Sequence, residues 1–496
     1  HVYNGSAWVK EGYLHEPEAA TNLVTHSSDF TDSSWTKSGA TVTANAAVAP
    51  DGTTTADEVI PSTTALSVRF DAPSSSLVHT VSLWVKDAGR GSCFVAMGSS
   101  TRGYLINLDL TDGSYISGRS YGGGVLSSYS IVSGGNGWYR VSVAASALGV
   151  TGILIAGGDG VSSASGIYIW GAQLEAGSVP TSYIPTSGST VTRAADTLTL
   201  PVANIPYPEP VVIGPELVTN GDFSNGTTGW FSARANSTLS VVSGELQVQA
   251  DSSGPFGVAT TLSGLSIGEN YQVVYSCDPQ TSPLVDIRVA SSSDFTTGIV
   301  AADAVSEEVI GKTLWFVATA TVMYFGGIEA GSITYNYALS EVSAAQINPP
   351  AVSIGYKSLV TYADTSDPQE VEFVNWVADT NNSIRWRIDN QFSKSGQVEF
   401  EQEAAGVVDI VALNNAYLTG INVPMSIASR HGSTFINGAV DGTALTANTT
   451  PVAFPDLSTT DLVIAPSGGP QIIQEFIMWG GTTGDIGDTG IEETSA

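Results

Sequence analysis

Three glutamates alternate in the stretch Gln397-Val-Glu-Phe-Glu-Gln-Glu: Glu399, Glu401 and Glu403. In an extended chain alternate residues point the same way, roughly 7 Å apart. Carboxylates so placed suit glycoside hydrolysis, one as acid and one as base or nucleophile. The stronger reading of the same pattern is a solvated strand face. Aromatic rings offer a second chemistry, because flat rings stack on the C–H faces of pyranoses. The pool is Trp84, Trp138, Tyr139, Trp170, Trp230, Trp315, Trp376, Trp386 and Trp479, and most of it belongs in cores. Trp84 stands opposite Val81, Leu83 and Val85, beside Lys86. Trp386 lies between Arg385 and Arg387 and is assigned to the side opposite the apolar set. Trp84, Trp386, Arg385 and Arg387 are therefore the expected carbohydrate-binding residues. The five histidines include no pair at zinc-ligand spacing. His431, in Ser-Arg-His-Gly-Ser, reads as a turn or strand-edge residue, since neither Ser429 nor Ser433 lies in a Gly-x-Ser-x-Gly elbow. No glycine loop precedes a helix to cradle phosphate.

The chain has 496 residues, which predicts about three domains. Gly, Ser and Thr are abundant, the apolar set is rich in β-branched residues and no helical stripe is sustained, so an all-β protein is expected. The formal charge is −30, which argues against nucleic acid as a partner, because phosphate binding needs basic patches. Such a surface also repels anionic polymers unless cations bridge them. Cys93 and Cys277 are far apart in apolar contexts and read as buried free thiols. No apolar run is long enough for a membrane-spanning helix, and membrane insertion is not expected.

The elements needed to position these side chains follow in order. Residues 1–21 form a lead-in with Tyr3, Trp8 and Tyr13. Residues 22–200 alternate at period two, as in Val78-His-Thr-Val-Ser-Leu-Trp-Val-Lys and Trp138-Tyr-Arg-Val-Ser-Val, with Asp112-Gly113 as a tight turn. The closing stretch runs through Gly166-Ile-Tyr-Ile-Trp-Gly-Ala-Gln-Leu-Glu, and then Pro180 and Pro185 make a covered exit path. About eight such strands suit a jelly roll. Residues 201–215 hold five prolines and read as a stiff linker. Residues 216–346 echo the first domain, Leu217-Val-Thr-Asn-Gly-Asp-Phe against Leu23-Val-Thr-His-Ser-Ser-Asp-Phe, and read as a divergent copy. Residues 347–496 form a second kind of β-sandwich. The second domain is expected as an insertion between Thr197–Leu200 and this sandwich.

Trp170–Glu175, Ser182–Thr186, Thr192–Asp196 and Gly137–Arg140, with Asn22, Leu23, Phe30 and Trp35, resemble the carbohydrate-binding-like jelly rolls of bacteriophage tail-fibre, minor tail and spike proteins, including those of gene transfer agents. The run Asn437-Gly-Ala-Val-Asp-Gly resembles the hairpin before the last strands of concanavalin A-like lectin/glucanase sandwiches. Glucanases of that kind use a Glu-x-Asp-x-x-Glu strand, from which Glu399–Glu403 departs. The resemblance implies two jelly rolls plus a concanavalin A-like sandwich on a virion surface, following an N-terminal attachment region that would precede His1. It implies adhesion to host surface glycan or capsule, contact with other virion proteins, and a homo-oligomer, a trimer being common among viral fibres. It also implies a structural Ca²⁺ where the ends of each jelly roll meet, at Asp222 and Glu341 with Asn220 nearby, and at Asp29 and Glu175. Asn336 and Tyr337 stand where paired acids are usual, and Asp29 and Asp222 read equally well as turn residues bonded to backbone. A virion-borne polysaccharide depolymerase and a structural spacer are the other two functions considered.

Overall fold

The computed structural model describes the chain except residues 1, 4–7, 10–11, 63–66, 73–76, 99–101, 147–150, 158–164, 252–253, 330–334, 363–369 and 390–395. The chain forms two compact units, one of His1–Tyr207 with Val352–Ala496 and the other of Pro208–Ala351. Among the described residues it is all-β apart from two 3₁₀ turns and a short helix, Gly487–Ser495.

In the first unit, residues from Trp35 to Ala176 build a jelly roll of two six-stranded antiparallel sheets. One runs Tyr115–Tyr121, Gly103–Asp109, Ser92–Gly98, Thr151–Gly157, Ser67–Ala72, Trp35–Ser38. The other runs Val125–Gly135, Trp138–Ser146, Val78–Ala88, Gly166–Ala176, Ala56–Pro61, Ala40–Ala47. Alternation sends Val81, Leu83 and Val85 inward against Val95, Ile106 and Ile169. The Asp112-Gly113 turn joins two adjacent strands, with Gly113 in the left-handed region at φ 76°.

The C-terminal sandwich also has two six-stranded sheets, but not all its strands are C-terminal. Leu198–Leu200 is the edge of one sheet, paired with Leu462–Ile464, and Tyr13–His15 is the edge of the other, paired with Gln471–Trp479. The first jelly roll is therefore inserted between two strands of this sandwich. Residues 1–21 are not only a lead-in, and the break expected at residue 200 falls beyond a strand of the other sandwich. The proline-rich stretch is no free linker either. Tyr207 packs edge-on against Trp376 at 5.9 Å, its hydroxyl accepts from the Leu457 N–H, and Ile205 is buried in the same core. The Asn437-Gly438 pair lies within the strand Ile436–Val440, and the turn falls at Asp441-Gly442. Glycine is required at 438 because a Cβ there would meet the Phe400 ring at 2.1 Å.

In the second unit the strand order matches that of the first jelly roll. Val309–Val317, Asn270–Asp278, Asn336–Asn348, Glu245–Ala250, Ser237–Val242 form one sheet. Trp230–Ser232, Phe256–Ser263, Val322–Glu329, Val285–Ala290, Ile299–Val305 form the other. In each copy the long closing strand sits at the middle of its sheet. The first copy adds one outer strand to each sheet, Tyr115–Tyr121 and Val125–Gly135. Val211–Val212 pairs with Ile347–Asn348 and closes the second unit.

The motifs of the closing stretch act as a lock. Asn22 makes four bonds: its Nδ2 donates to the Ala172 and Ile184 carbonyls, and its Oδ1 accepts from the Val24 and Leu174 N–H groups. Gln173 accepts from the Ile184 N–H, and Glu175 accepts from the Thr181 N–H and hydroxyl. Glu16, buried, accepts from the Ser182 N–H at 2.7 Å and pairs with Arg193 Nε at 3.3 Å, while Asp196 accepts from the Glu16 N–H. Glu16→Ala leaves the Ser182 N–H and hydroxyl without their acceptor and removes the ion-pair partner of Arg193, whose guanidinium keeps the Glu16, Glu18 and Ala194 carbonyls. It should cost about 2 kcal/mol, read as a lower first transition in denaturant unfolding.

Candidate functional site

The corresponding sheet face of each jelly roll carries a tryptophan, but the two faces are finished differently. In the second unit alternation sends Leu314 and Phe316 toward the core and leaves Trp315 53% exposed. Trp315 pairs across strands with Gln272, and Gln272 with Ala345. The next row is Thr313, Val274 and Ser343. Farther across lie Gln247 opposite Ala338 and Gln249 opposite Asn336. A flat ring is thus set beside small side chains and one carboxamide, that of Gln272, while Gln247, Gln249 and Asn336 lie roughly 20 Å or more farther along the sheet. Carboxamides donate and accept at once, as the vicinal hydroxyls of a sugar do. Sequence reading placed Trp315 in the aromatic pool without choosing it. The signal that could have chosen it was parity, since Trp315 lies between Leu314 and Phe316.

In the first jelly roll the corresponding sheet carries the row Arg140, Trp84 and Trp170, nearer the bulge of the closing strand. Most of this face is covered. Trp138 Nε1 donates to the Val48 carbonyl, Trp170 Nε1 donates to Thr55 Oγ1, and Tyr183 of the exit path packs on Trp170 at 4.6 Å. Trp84 stays half-buried beside Arg140, whose Nη2 donates to Ser82 Oγ and the Thr181 carbonyl.

Trp386 is not on a binding face. It shares its parity with Ile384 and Ile388, is fully buried, and packs edge-on against Phe400 at 5.3 Å. Its Nε1 donates to His431 Nε2 at 3.2 Å, so His431 is a core residue and not a turn or edge histidine. Arg385 and Arg387 do point to the other side, where they meet the glutamates across the strand register, Arg387 with Glu399 and Arg385 with Glu401. Arg387 Nε lies 3.0 Å from Glu399 and its Nη2 3.1 Å from Glu401, and Arg385 lies 3.7 Å from Glu401. Glu399 and Glu401 are 2% and 5% exposed. The solvated-face expectation fails for these two because cross-strand pairing with arginine removes them from water. Glu403 is half-buried, accepting from Ser383 Oγ. Neither of the two buried carboxylates is presented to an open cleft as a free acid or base. Burial raises the Glu401 carboxyl despite the neighbouring Arg387 and Arg385.

The calcium expectation meets a poor donor set. Asp29 caps its own turn, accepting from the Thr31 N–H and hydroxyl, and Asp222 does the same with Ser224. Glu175 is held inside the exit-path lock by Thr181 and Gln173, away from any role at the domain's open end. Glu341 is exposed in the left-handed region at φ 52°. Asp222 and Glu341 alone fall short of the six to eight oxygens Ca²⁺ takes. Among the described residues no group of three or more His, Cys, Asp or Glu converges to hold a metal. Cys93 and Cys277 are buried free thiols, and burial pushes the Cys277 thiol up to about 12.

No family model and no curated protein matches the chain. Among solved structures, one described as CBM4 structure and function aligns over 26% of this chain and 99% of its own, at 16% identity and a TM-score of 0.21. The tandem CBM22-1–CBM22-2 domain of Paenibacillus barcinonensis Xyn10C aligns over 69% of this chain and 100% of its own, at 13% identity and 0.21. Sheep galectin-11 in complex with glycerol aligns over 26% and 90%, at 12% identity and 0.19.

Two pH effects follow. Burial holds the His431 pKa at about 3, so it stays neutral while the unfolded chain takes up a proton below about 6.5. Stability should fall as pH drops from 6.5 toward 3, by at most about 1.4 kcal/mol per pH unit from this group. His431→Gln should flatten the slope of melting temperature against pH in that range. Glu401 acts in the opposite sense, because its raised pKa favours the folded state at low pH. The melting temperature of the wild type minus that of Glu401→Gln should therefore grow as pH falls toward about 4.5.

Proposed function

We propose that this chain is a glycan-binding adhesion protein whose open contact surface is the Trp315 face. The observation that carries the reading is a large aromatic side chain, half exposed on a sheet, beside Gln272 and small residues. The Gln272 carboxamide beside it supplies directional bonds, and the ring supplies a stacking surface. The enzymatic alternative finds no support in Glu399 and Glu401, which are engaged by Arg387 and Arg385.

The finer reading is a surface component of a bacteriophage or phage-like particle, a tail fibre, tail tip or head spike that adsorbs to host polysaccharide. Its support is the resemblance of the Trp170–Glu175, Ser182–Thr186 and Thr192–Asp196 segments to phage modules. Each module would bind weakly, and several copies on one particle would raise avidity by high effective concentration. An acidic surface suits such a role by keeping the particle from self-association.

The full chain titrated with purified host surface polysaccharide should show saturable binding without shortening of the polymer. Trp315→Ala should weaken that binding about tenfold, equivalent to about 1.4 kcal/mol. Unchanged affinity in the variant would remove the Trp315 face from the reading, and a shortened polymer would replace adhesion with hydrolysis.

A further inference from the structure

Three cavities lie along the seam between the jelly roll and the C-terminal sandwich of the first unit, with volumes of about 250, 290 and 240 Å³. Neighbouring cavities share walls. The second and third share Pro180 and Ile421, and the first and third share Glu16, Thr181 and Pro470. We propose that this seam is a groove for an extended, uncharged oligosaccharide, separate from the Trp315 face. The ligand class rests on the glycan-binding reading; the location does not.

Size comes first. Each cavity is near the lower end of small-molecule sites, roughly 300 Å³, so each suits a small unit. Three that share walls suit a chain of such units. The lining supplies the two kinds of contact a neutral sugar uses. Trp84 lines the third cavity and Tyr129, 43% exposed, lines the second. The Trp84 ring has room to lie against the sheet because residue 134 is glycine. A Cβ there would meet the indole Cζ3 at 2.2 Å. Around the rings stand hydroxyl and amide groups, among them Ser133, Thr419 and Asn422.

Charge selects the uncharged class. Arg140 is the cation lining the third cavity, and it faces the carboxylates of Glu175 and Glu16. Its positive charge is matched within the protein, so it offers directed donors without net attraction for an anion. Glu16, Glu18 and Glu370 line the first cavity with Arg193, which pairs with Glu16, so the carboxylates outnumber the cation there and disfavour a uronate or sialate. The chain as a whole, at −30, does the same at longer range.

The groove is also preformed. Its central wall is the segment Ser178–Thr181, held by Glu175 to Thr181 and by Ser128 Oγ to the Ser178 carbonyl at 2.7 Å. Opposite, Asn422 is in the left-handed region at φ 51°, with its N–H held by Thr361 Oγ1 at 3.1 Å. Little ordering is left for a ligand to bring about, which lowers the cost of binding.

The test is hydroxyl-radical footprinting of the full chain with hexasaccharides of β-1,4-glucose, β-1,4-xylose, β-1,4-mannose and α-1,6-glucose, and with hexagalacturonate as the charged control. At least one uncharged hexasaccharide should cut oxidation of both Trp84 and Tyr129 by threefold or more. That protection should persist in Trp315→Ala and be absent with hexagalacturonate. Gly134→Ala, checked for an unchanged circular dichroism spectrum, should lose protection at Trp84 while Trp315 behaves as in the wild type. Protection confined to Trp315 would overturn the seam and leave the open face standing. Protection of Trp84 by hexagalacturonate alone would overturn the uncharged class, and protection of neither Trp84 nor Tyr129 by any of the five would overturn the groove.

Discussion

One buried carboxylate, that of Glu16, holds together the region where the first unit's two sandwiches meet. It binds the Ser182 backbone and hydroxyl on one side and the Arg193 guanidinium on the other. A carboxylate this deep is tolerated only because a cation and donors surround it. Glu16 directly follows the strand Tyr13–His15, which belongs to the C-terminal sandwich, and precedes Ala20–Asn22, which pairs with Val191–Arg193. The inserted jelly roll is thereby clamped where the chain enters it and where the chain leaves.

The lock also explains why two copies of one topology expose different surfaces. In the first copy the exit path from Gly177 to Thr186 is drawn back over the sheet by Asn22, Gln173 and Glu175, and Tyr183 covers Trp170. In the second copy no described segment covers Trp315. The same strand order thus yields one closed face, with Trp84 left at its margin, and one open face.

Basic residues are scarce, and many are committed internally. Arg193 serves the lock, Arg140 faces Glu175 and Glu16, Arg385 and Arg387 hold the glutamate strand, and Arg288 pairs with Asp286. With 17 basic against 47 acidic residues, the exterior is left acidic, which disfavours polyanionic ligands.

The all-β class and the strand positions were legible in the sequence because alternation is a local property. Val81, Leu83 and Val85 had to share a face, and Asp112-Gly113 could turn the chain with no help from afar. The Gln173–Glu175 and Arg193–Asp196 motifs were visible, but not their function, since their partners Glu16 and Asn22 lie some 150 to 180 positions earlier. Trp386 was misplaced although its parity with Ile384 and Ile388 could be read, because flanking arginines suggested a wet face. What covers Glu399 and Glu401 depends on which strand lies alongside, and only pairing with Arg385–Arg387 decided it. The membership of Tyr13–His15 and Leu198–Leu200 in the C-terminal sandwich could not be read at all. Edge-strand partners are chosen by free backbone groups and by contacts such as His15 with the Ala465 carbonyl, 450 positions away. The sequence by itself determined which residues point together. The tertiary structure alone decided what they point at.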